Sequence, residues 1–579
     1  MTAVIHRLRS ALLDRQLVQS FSGVRTVFGS GPDISPEHQA LARAYGFCYA
    51  REVLRPGEEA LFVLGRDPRP TGRALADALV RGFAAGARLV GVPLRLADLG
   101  IITTPLAETA VRALGAQGGV MVTASHNPLD HNGFKFFTGV GMEDRPGAAP
   151  PGALLSATDM ERVIRSVALL AEREGPIGLE DDDAAPMPSD RREQEQARVA
   201  AERAYLDVIG ADWGITPHCL KPLTLGPALL DPNGGAGCGI DARVLEHFGV
   251  KVIEVNAEVG YPEHAIDTDG IDPASGRHML LRVARAAARE RAHFGVAFDY
   301  DADRGNLVLP GHTEEAIIPP QKVATFNIAL ALTRRMLRRK EGKPLAVVMS
   351  DSTSLASERV ARSFGAEVVY VETGEINVVT RMHQLRRDGY DVPVGVEGAN
   401  GGTIFETSTC RDGLQAALSA ALAESEPEVS EAWLLHAGAS DPNGCEPGQP
   451  IPLSRLVASI PANPNVSLRL TAPPLPHAVV KKRLEAYFAD RLWPELRDRF
   501  ESYRFVNYEG TAVSAERSGE ETGGWRVELR APDRAAFVFV RGSRTESGIW
   551  RMILDADDES DFGELLPRAR TMFDTVSLG

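Results

Sequence analysis

At 579 residues the chain is longer than one core can serve, and at about 150 residues per domain the length points to roughly four domains. Hydrophobic residues make up 44% and charged residues 24%, a balance that buries sizeable cores and excludes a disordered or fibrous chain. The formal net charge of −15 argues against a nucleic-acid backbone or an anionic membrane as main partner, since both favour a basic face; an anionic ligand must then be met by local clusters of Arg and Lys.

In chain order, MTAVIHRLRSALLDRQLVQ reads as an amphipathic helix interrupted by Arg7, Arg9 and Asp14, without the apolar centre of a signal peptide. Nowhere does an apolar run approach the length of a spanning helix, about 18 residues. LFVLGRD followed by RALADALVRGFAAGA, and LAVVMSD followed by SLASERVARSFGA and EVVYVET, alternate strand-like and helix-like stretches, the mark of α/β layers. MEDRPGAAPPG and EDDDAAPMPSD, rich in Pro, Gly and acid, predict a surface excursion and a linker into the helix RREQEQARVAAERAYLDVI. A second irregular stretch, HAGASDPNGCEPGQP, precedes the helix pattern LSRLVASI. Cys48, Cys219, Cys238, Cys410 and Cys445 are scattered without a CxxC pair, so reduced thiols in a cytoplasmic protein are expected.

Four loops carry chemistry. In GGVMVTASHNPLDHNGFK an apolar strand breaks at Thr123 into a polar loop presenting Ser125, His126 and Asn127; Asn before Pro opens a turn, and the strand in front exposes a hydroxyl. In FGVAFDYDADRGNLVLP the strand Phe294–Phe298 delivers Asp299, Asp301 and Asp303 into one loop, followed by Arg304. An EF-hand fails there, because Arg304 stands where its turn requires Gly and Pro310 where calcium needs Glu. Three carboxylates so close repel one another unless a cation offsets them, and oxygen donors on a short loop suit Mg²⁺. The serine and aspartate loops together point to a phosphoryl-carrying serine beside a hard divalent cation. The third loop, GVEGANGGTIF, contains Glu397, whose carboxylate can accept two hydrogen bonds at fixed spacing. The fourth, RGSRTESG, offers Arg541, Ser543 and Thr545, a fork and two hydroxyls suited to a phosphate.

This ordered set, with FSGVR at 21–25, GRDPRPTG at 65–72, ITTP at 102–105, DPNGGAG at 231–237 and RDGLQAAL at 411–418, resembles the α-D-phosphohexomutases, the superfamily of phosphoglucomutase, phosphomannomutase and the phosphoglucosamine mutases. The resemblance implies an α/β fold: three related α/β domains plus a smaller C-terminal α+β domain around a central cleft. The expected limits are 1–205 with the phosphoserine loop, 206–310 with the metal-binding loop, 311–460 with the sugar-binding loop and 461–579 with the phosphate-binding loop.

Carried over residue by residue, the resemblance implies Ser125, Lys135, Arg25 and His126 as catalytic residues, and Mg²⁺ on Ser125, Asp299, Asp301 and Asp303, one ion per site. It further implies substrate contacts from Arg304, Glu397, Ala399, Asn400, Arg541, Ser543 and Thr545. Arg66 and Arg69 of GRDPR are expected to be structural, pairing with Asp67 or backbone carbonyls. The glutamate loop departs from the pattern of the glucose and mannose enzymes: Ala399 replaces a Ser, and glycine replaces a His that often shuttles protons. The implied enzyme interconverts hexose 1- and 6-phosphates through its phosphoserine, with a hexose 1,6-bisphosphate as activating intermediate. Glucose or mannose phosphates are the expected substrates, glucosamine or N-acetylglucosamine phosphates the alternative. A Mg²⁺-dependent sugar phosphatase and a non-catalytic sugar-phosphate binder are readings from other classes. The only expected partner is the small phosphosugar, in a monomer or homodimer.

Overall fold

The alternating apolar and amphipathic stretches resolve into sheets whose parallel strands are joined by helices. The computed structural model describes residues 3–57, 59–143, 145, 147–173, 179, 191–220, 226–266, 270–272, 275–338, 342–398, 401–438, 450–473, 475–514, 523–543 and 548–578. It divides into two compact units, Met1–Ile318 with Ile404–Pro427, and Pro319–Thr403 with Glu428–Gly579.

In the first unit, β1 (Val18–Ser20), β2 (Gly23–Val27), β3 (Ala60–Arg66), β4 (Leu94–Ile101), β5 (Gly118–Val122) and β6 (His131–Thr138) form one sheet in the order β1-β2-β6-β5-β3-β4. β3 runs parallel to β4 and β5, while β6 runs antiparallel to β5 and β2. The helix Pro36–Val53 begins where Ser35 accepts a hydrogen bond from the His38 amide and Pro36 sets the first turn. It packs on Gly72–Val90 so closely that a Cβ on Gly46 would lie 2.4 Å from the Leu79 carbonyl oxygen, and one on Gly82 2.2 Å from that of Arg43. Small residues in both helices permit that approach. Tyr49, Phe62, Phe83 and Phe136 fill the core between helices and sheet, Tyr49 stacking on Phe136 at 4.3 Å; burying each ring contributes about 2 kcal/mol. Within the excursion expected after Gly139, Ala157–Glu172 is a helix, because Met160, Val163, Val167 and Leu170 recur on one buried face and Ser156 caps its start.

The second sheet of this unit contains β7 (Ala228–Asp231), β8 (Val252–Glu254), β11 (Phe294–Phe298) and β12 (Gly305–Val308), ordered β12-β11-β7-β8; β9 (Ile271–Asp272) and β10 (Arg277–His278) make a separate hairpin. β11 is parallel to β7 and antiparallel to β12. The aspartate loop is therefore the turn between β11 and β12. The helix Gly413–Ser425 joins this unit, and the backbones of Gly413 and Gly305 meet: a Cβ on Gly305 would stand 2.5 Å from the Gly413 carbonyl oxygen.

A further sheet contains β13 (Ala346–Ser350), β14 (Glu367–Val371), β15 (Val394–Glu397) and β16 (Gly402–Phe405) in the order β14-β13-β15-β16, with β13 parallel to both neighbours. The last sheet comprises β17 (Asn465–Thr471), β18 (Ser502–Glu509), β19 (Ala512–Ser514), β20 (Trp525–Arg530), β21 (Ala535–Gly542) and β22 (Ile549–Ala556), ordered β17-β22-β21-β20-β18-β19 and antiparallel throughout. β21 is apolar on both faces because both are covered. Ala536, Val538 and Val540 pack with Leu484, Phe488, Met572 and Phe573, while Phe537 and Phe539 cluster with Leu355 and Ile553. This is the α+β domain expected at the C-terminus; the preceding sheets are the α/β layers. Among the described residues no helix is long and apolar enough to cross a membrane. Cys48, Cys219, Cys238 and Cys410 are free thiols, and Cys445 lies outside the described residues.

Candidate functional site

The loop after β5 is held by side chains from the end of β3. Ser125 adopts φ +52°, a left-handed conformation that costs a non-glycine residue of order 1–3 kcal/mol and persists where its surroundings enforce it. The Ser125 amide donates to Thr123 Oγ1 at 2.8 Å, and Thr123 Oγ1 donates to Asp67 Oδ2 at 2.7 Å. Arg69, 2% exposed, directs both terminal nitrogens of its fork at the same loop. Its Nη2 donates to the Ser125 and Asn127 carbonyls, both at 2.6 Å, its Nη1 to the His131 carbonyl at 2.8 Å and to that of Pro128, and its Nε to Asp67 Oδ2 at 3.1 Å. Five N–H donors meet five acceptors, so the expected structural part for Arg69 is what the geometry displays.

Ser125 Oγ donates to Asp299 Oδ2 at 2.7 Å, so the serine and aspartate loops meet although 174 residues separate them. Asp299, Asp301 and Asp303 are each at most 1% exposed, and one oxygen from each lies within 4.8 Å of the others. Arg304 closes over Asp299, its Nη2 2.9 Å from Asp299 Oδ2 and 3.4 Å from Ser125 Oγ. Lys135 Nζ, projecting from β6, donates to Asp301 Oδ2 at 2.9 Å and to Asp303 Oδ2 at 3.1 Å. Arg25 on β2 is buried; desolvation lowers its pKa although Asp301 and Asp303 oppose this. His126 Nδ1 lies 3.4 Å from Ser125 Oγ.

The carboxylates are electrostatically unequal. Burial, then repulsion from Asp303 and Asp301, pushes Asp299 up to about 7 against the pull of Arg304. Burial also opposes ionisation of Asp303, but Arg411, Lys135 and Arg304 outweigh it and hold that group well below the usual carboxylate range. The cluster also fits a hard cation. Asp301 Oδ1 and Asp303 Oδ1 are buried and accept no hydrogen bond among the described residues, and an all-oxygen donor set is what Mg²⁺ takes.

In the second unit Glu397 ends β15, buried, and the loop beyond it starts under restraint: the Gly398 amide donates to Ser350 Oγ at 2.9 Å, and Gln321 Nε2 donates to the Gly398 carbonyl at 3.0 Å. Arg541 lies near the end of β21 with Nη1 donating to the Thr373 carbonyl at 3.0 Å, and the Ser543 amide donates to the Ile549 carbonyl at 2.7 Å. Ala399, Asn400 and Thr545 lie outside the described residues.

Two contributors were not singled out by sequence. Arg411 Nη2 donates to Asp303 Oδ2 at 2.6 Å, and Thr104 Oγ1 donates to Asp301 Oδ2 at 2.9 Å. Both belong to stretches, RDG and ITTP, whose only sequence signal was their place in the ordered pattern.

Residues 18–148 match the family described as phosphoglucomutase/phosphomannomutase, alpha/beta/alpha domain I, and residues 327–436 match its domain III. A phosphoglucosamine mutase of Anaeromyxobacter sp. (strain Fw109-5) is 28% identical over 401 residues, 69% of this chain and 74% of its own. A probable phosphoglucosamine mutase of Methanothermobacter thermautotrophicus is 26% identical over 558 residues, 96% of this chain and 97% of its own. A phosphoglucomutase/phosphomannomutase family protein of Burkholderia thailandensis shares the fold, with a TM-score of 0.62 at 19% identity over 97% of each chain.

Proposed function

This chain belongs to the α-D-phosphohexomutase superfamily, and on that premise we propose that it interconverts glucosamine 1-phosphate and glucosamine 6-phosphate through a phosphoserine at Ser125. It is an intramolecular phosphotransferase of the isomerase class. The observation that carries the mechanism is the buried meeting of Ser125 Oγ with Asp299 at 2.7 Å and Arg304 at 3.4 Å.

Asp299, Asp301 and Asp303, with an oxygen of phosphorylated Ser125, would hold Mg²⁺, which when bound supplies positive charge against the transferred phosphoryl group. Arg304 neutralises charge on the serine oxygen as the phosphoryl group departs. The clamp by Arg69 and Thr123 keeps that oxygen in one place, so alignment is prepaid in folding. To Lys135 and His126 we assign the exchange of a proton with the accepting sugar hydroxyl. The doubly phosphorylated sugar then presents its other phosphate, whose return to Ser125 yields the isomer; a sugar 1,6-bisphosphate would accordingly recharge enzyme that has lost its phosphate. To Glu397, Ala399 and Asn400 we assign the sugar hydroxyls, and to Arg541, Ser543 and Thr545 the phosphate not being transferred. We assign these four loops to domains spanning 1–205, 206–310, 311–460 and 461–579.

Glucosamine is preferred over glucose and mannose on two grounds. The relatives similar over most of this chain bear the name phosphoglucosamine mutase, and the EGANGGT stretch lacks the Ser and His of the glucose and mannose enzymes. The test is turnover of the 1-phosphates of glucosamine, N-acetylglucosamine, glucose and mannose by purified protein. A kcat/KM at least about tenfold higher for glucosamine 1-phosphate, some 1.4 kcal/mol of transition-state preference, is expected. Preference for glucose or mannose overturns the substrate assignment, and inorganic phosphate released ahead of any isomer overturns the mutase reading.

A further inference from the structure

Asp301 is held from outside its own loop. Thr104, fully buried, is the first residue of the helix Thr104–Ala113, and it holds Asp301 at two points: its amide donates to the Asp301 carbonyl at 3.0 Å and its hydroxyl to Asp301 Oδ2 at 2.9 Å. Lys135 Nζ donates to the same Oδ2 at 2.9 Å. That oxygen is therefore engaged twice, while Asp301 Oδ1 accepts no hydrogen bond among the described residues. The position of Thr104 is itself set by rigid elements. β4 ends at Ile101, the Ile102 amide donates to the Arg66 carbonyl at 3.0 Å, and Pro105 fixes the first helical turn.

We propose that Thr104 is a positioning residue of the metal site, resting on the reading above that the aspartate loop takes Mg²⁺. By occupying Oδ2 and pinning the backbone of the same residue, Thr104 leaves Oδ1 as the oxygen of Asp301 whose lone pairs serve a hard divalent cation. Carboxylate ligands depend on such outer hydrogen bonds, whose loss typically weakens metal binding by about 10- to 100-fold.

The experiment uses full-length protein, with Mn²⁺ as a paramagnetic stand-in for Mg²⁺ and the free ion counted by electron paramagnetic resonance. Thr104→Val preserves shape and removes only the hydroxyl; Thr104→Ser keeps the hydroxyl. The expected result is a Kd for Mn²⁺ about tenfold higher in Thr104→Val and near wild type in Thr104→Ser, with Thr104→Val activity regained as Mg²⁺ is raised. A Thr104→Val protein that binds Mn²⁺ like wild type overturns the inference, whether or not its melting temperature falls. Wild-type protein that binds no Mn²⁺, or Asp301→Asn that binds it as tightly as wild type, overturns the metal reading itself and this inference with it.

Discussion

Replacing Arg69 by Met keeps an apolar stem in the same space and removes all five donors at once. The acceptors left behind are the Asp67 carboxylate and the carbonyls of Ser125, Asn127, Pro128 and His131. Breaking a buried ion pair from one side costs about 3–5 kcal/mol. Each carbonyl that stays dry and unpaired adds about 1–3 kcal/mol, so the loop will open to water rather than remain in place with all four orphaned. The expected loss is therefore about 3–5 kcal/mol of local stability, and with it the left-handed conformation of Ser125. Arg69→Lys offers three donors for five acceptors and is expected to fall between the two. The assay is hydrogen–deuterium exchange of the 123–131 segment together with the phosphate content of intact protein. Faster exchange there, with reduced phosphate content, is the predicted outcome for Arg69→Met. Should Arg69→Lys match wild type in both measurements, the fork-to-carbonyl argument is wrong.

Ser125→Ala is expected to lose the single bound phosphate by intact mass and to reduce isomerisation to background, while its melting temperature stays near wild type; a retained phosphate would place the phosphoryl group on another residue. Chelation with EDTA should abolish activity and added Mg²⁺ should restore it, an outcome read directly in the turnover assay. Gly413→Ala would set a Cβ 2.5 Å from the Arg304 carbonyl carbon; overpacking of that kind costs about 1–3 kcal/mol, so a lower melting temperature and a lower kcat are expected, because Arg304 must move. In the second unit burial pushes Asp351 up to about 6, above its usual value when unfolded. The folded state then favours the protonated form, and this group's contribution to stability falls as pH rises from about 4 to about 6. Asp351→Asn should remove that decline and flatten the dependence of stability on pH over this range, measured by urea unfolding at several pH values.

Much of the chemistry was legible because its signals are local. The run Phe294–Phe298 reads as a buried strand from its own residues, and it is β11 with those same ends; a polar loop directly after such a strand must lie at a strand end, where three aspartates can converge. The same holds for Ser125 after β5 and for the arginines of GRDPR, one of which, Arg69, pairs as its neighbours suggested. The helix Ala157–Glu172 is hidden in the sequence by its Pro- and Gly-rich flanks, although its residues carry a regular apolar spacing.

Local pattern thus determined which residue types the four loops present, since period, turn chemistry and charge act over a few neighbours along the backbone. Which side chains meet was decided by tertiary structure alone. Arg411 reaches Asp303 across 108 residues and Thr104 reaches Asp301 across 197, through the packing of Gly413 on Gly305 and the docking of a helix start against the β11–β12 turn. Such contacts arise when separately specified elements share one buried space, and the hydrogen bonds formed there exist only after solvent has been excluded from it.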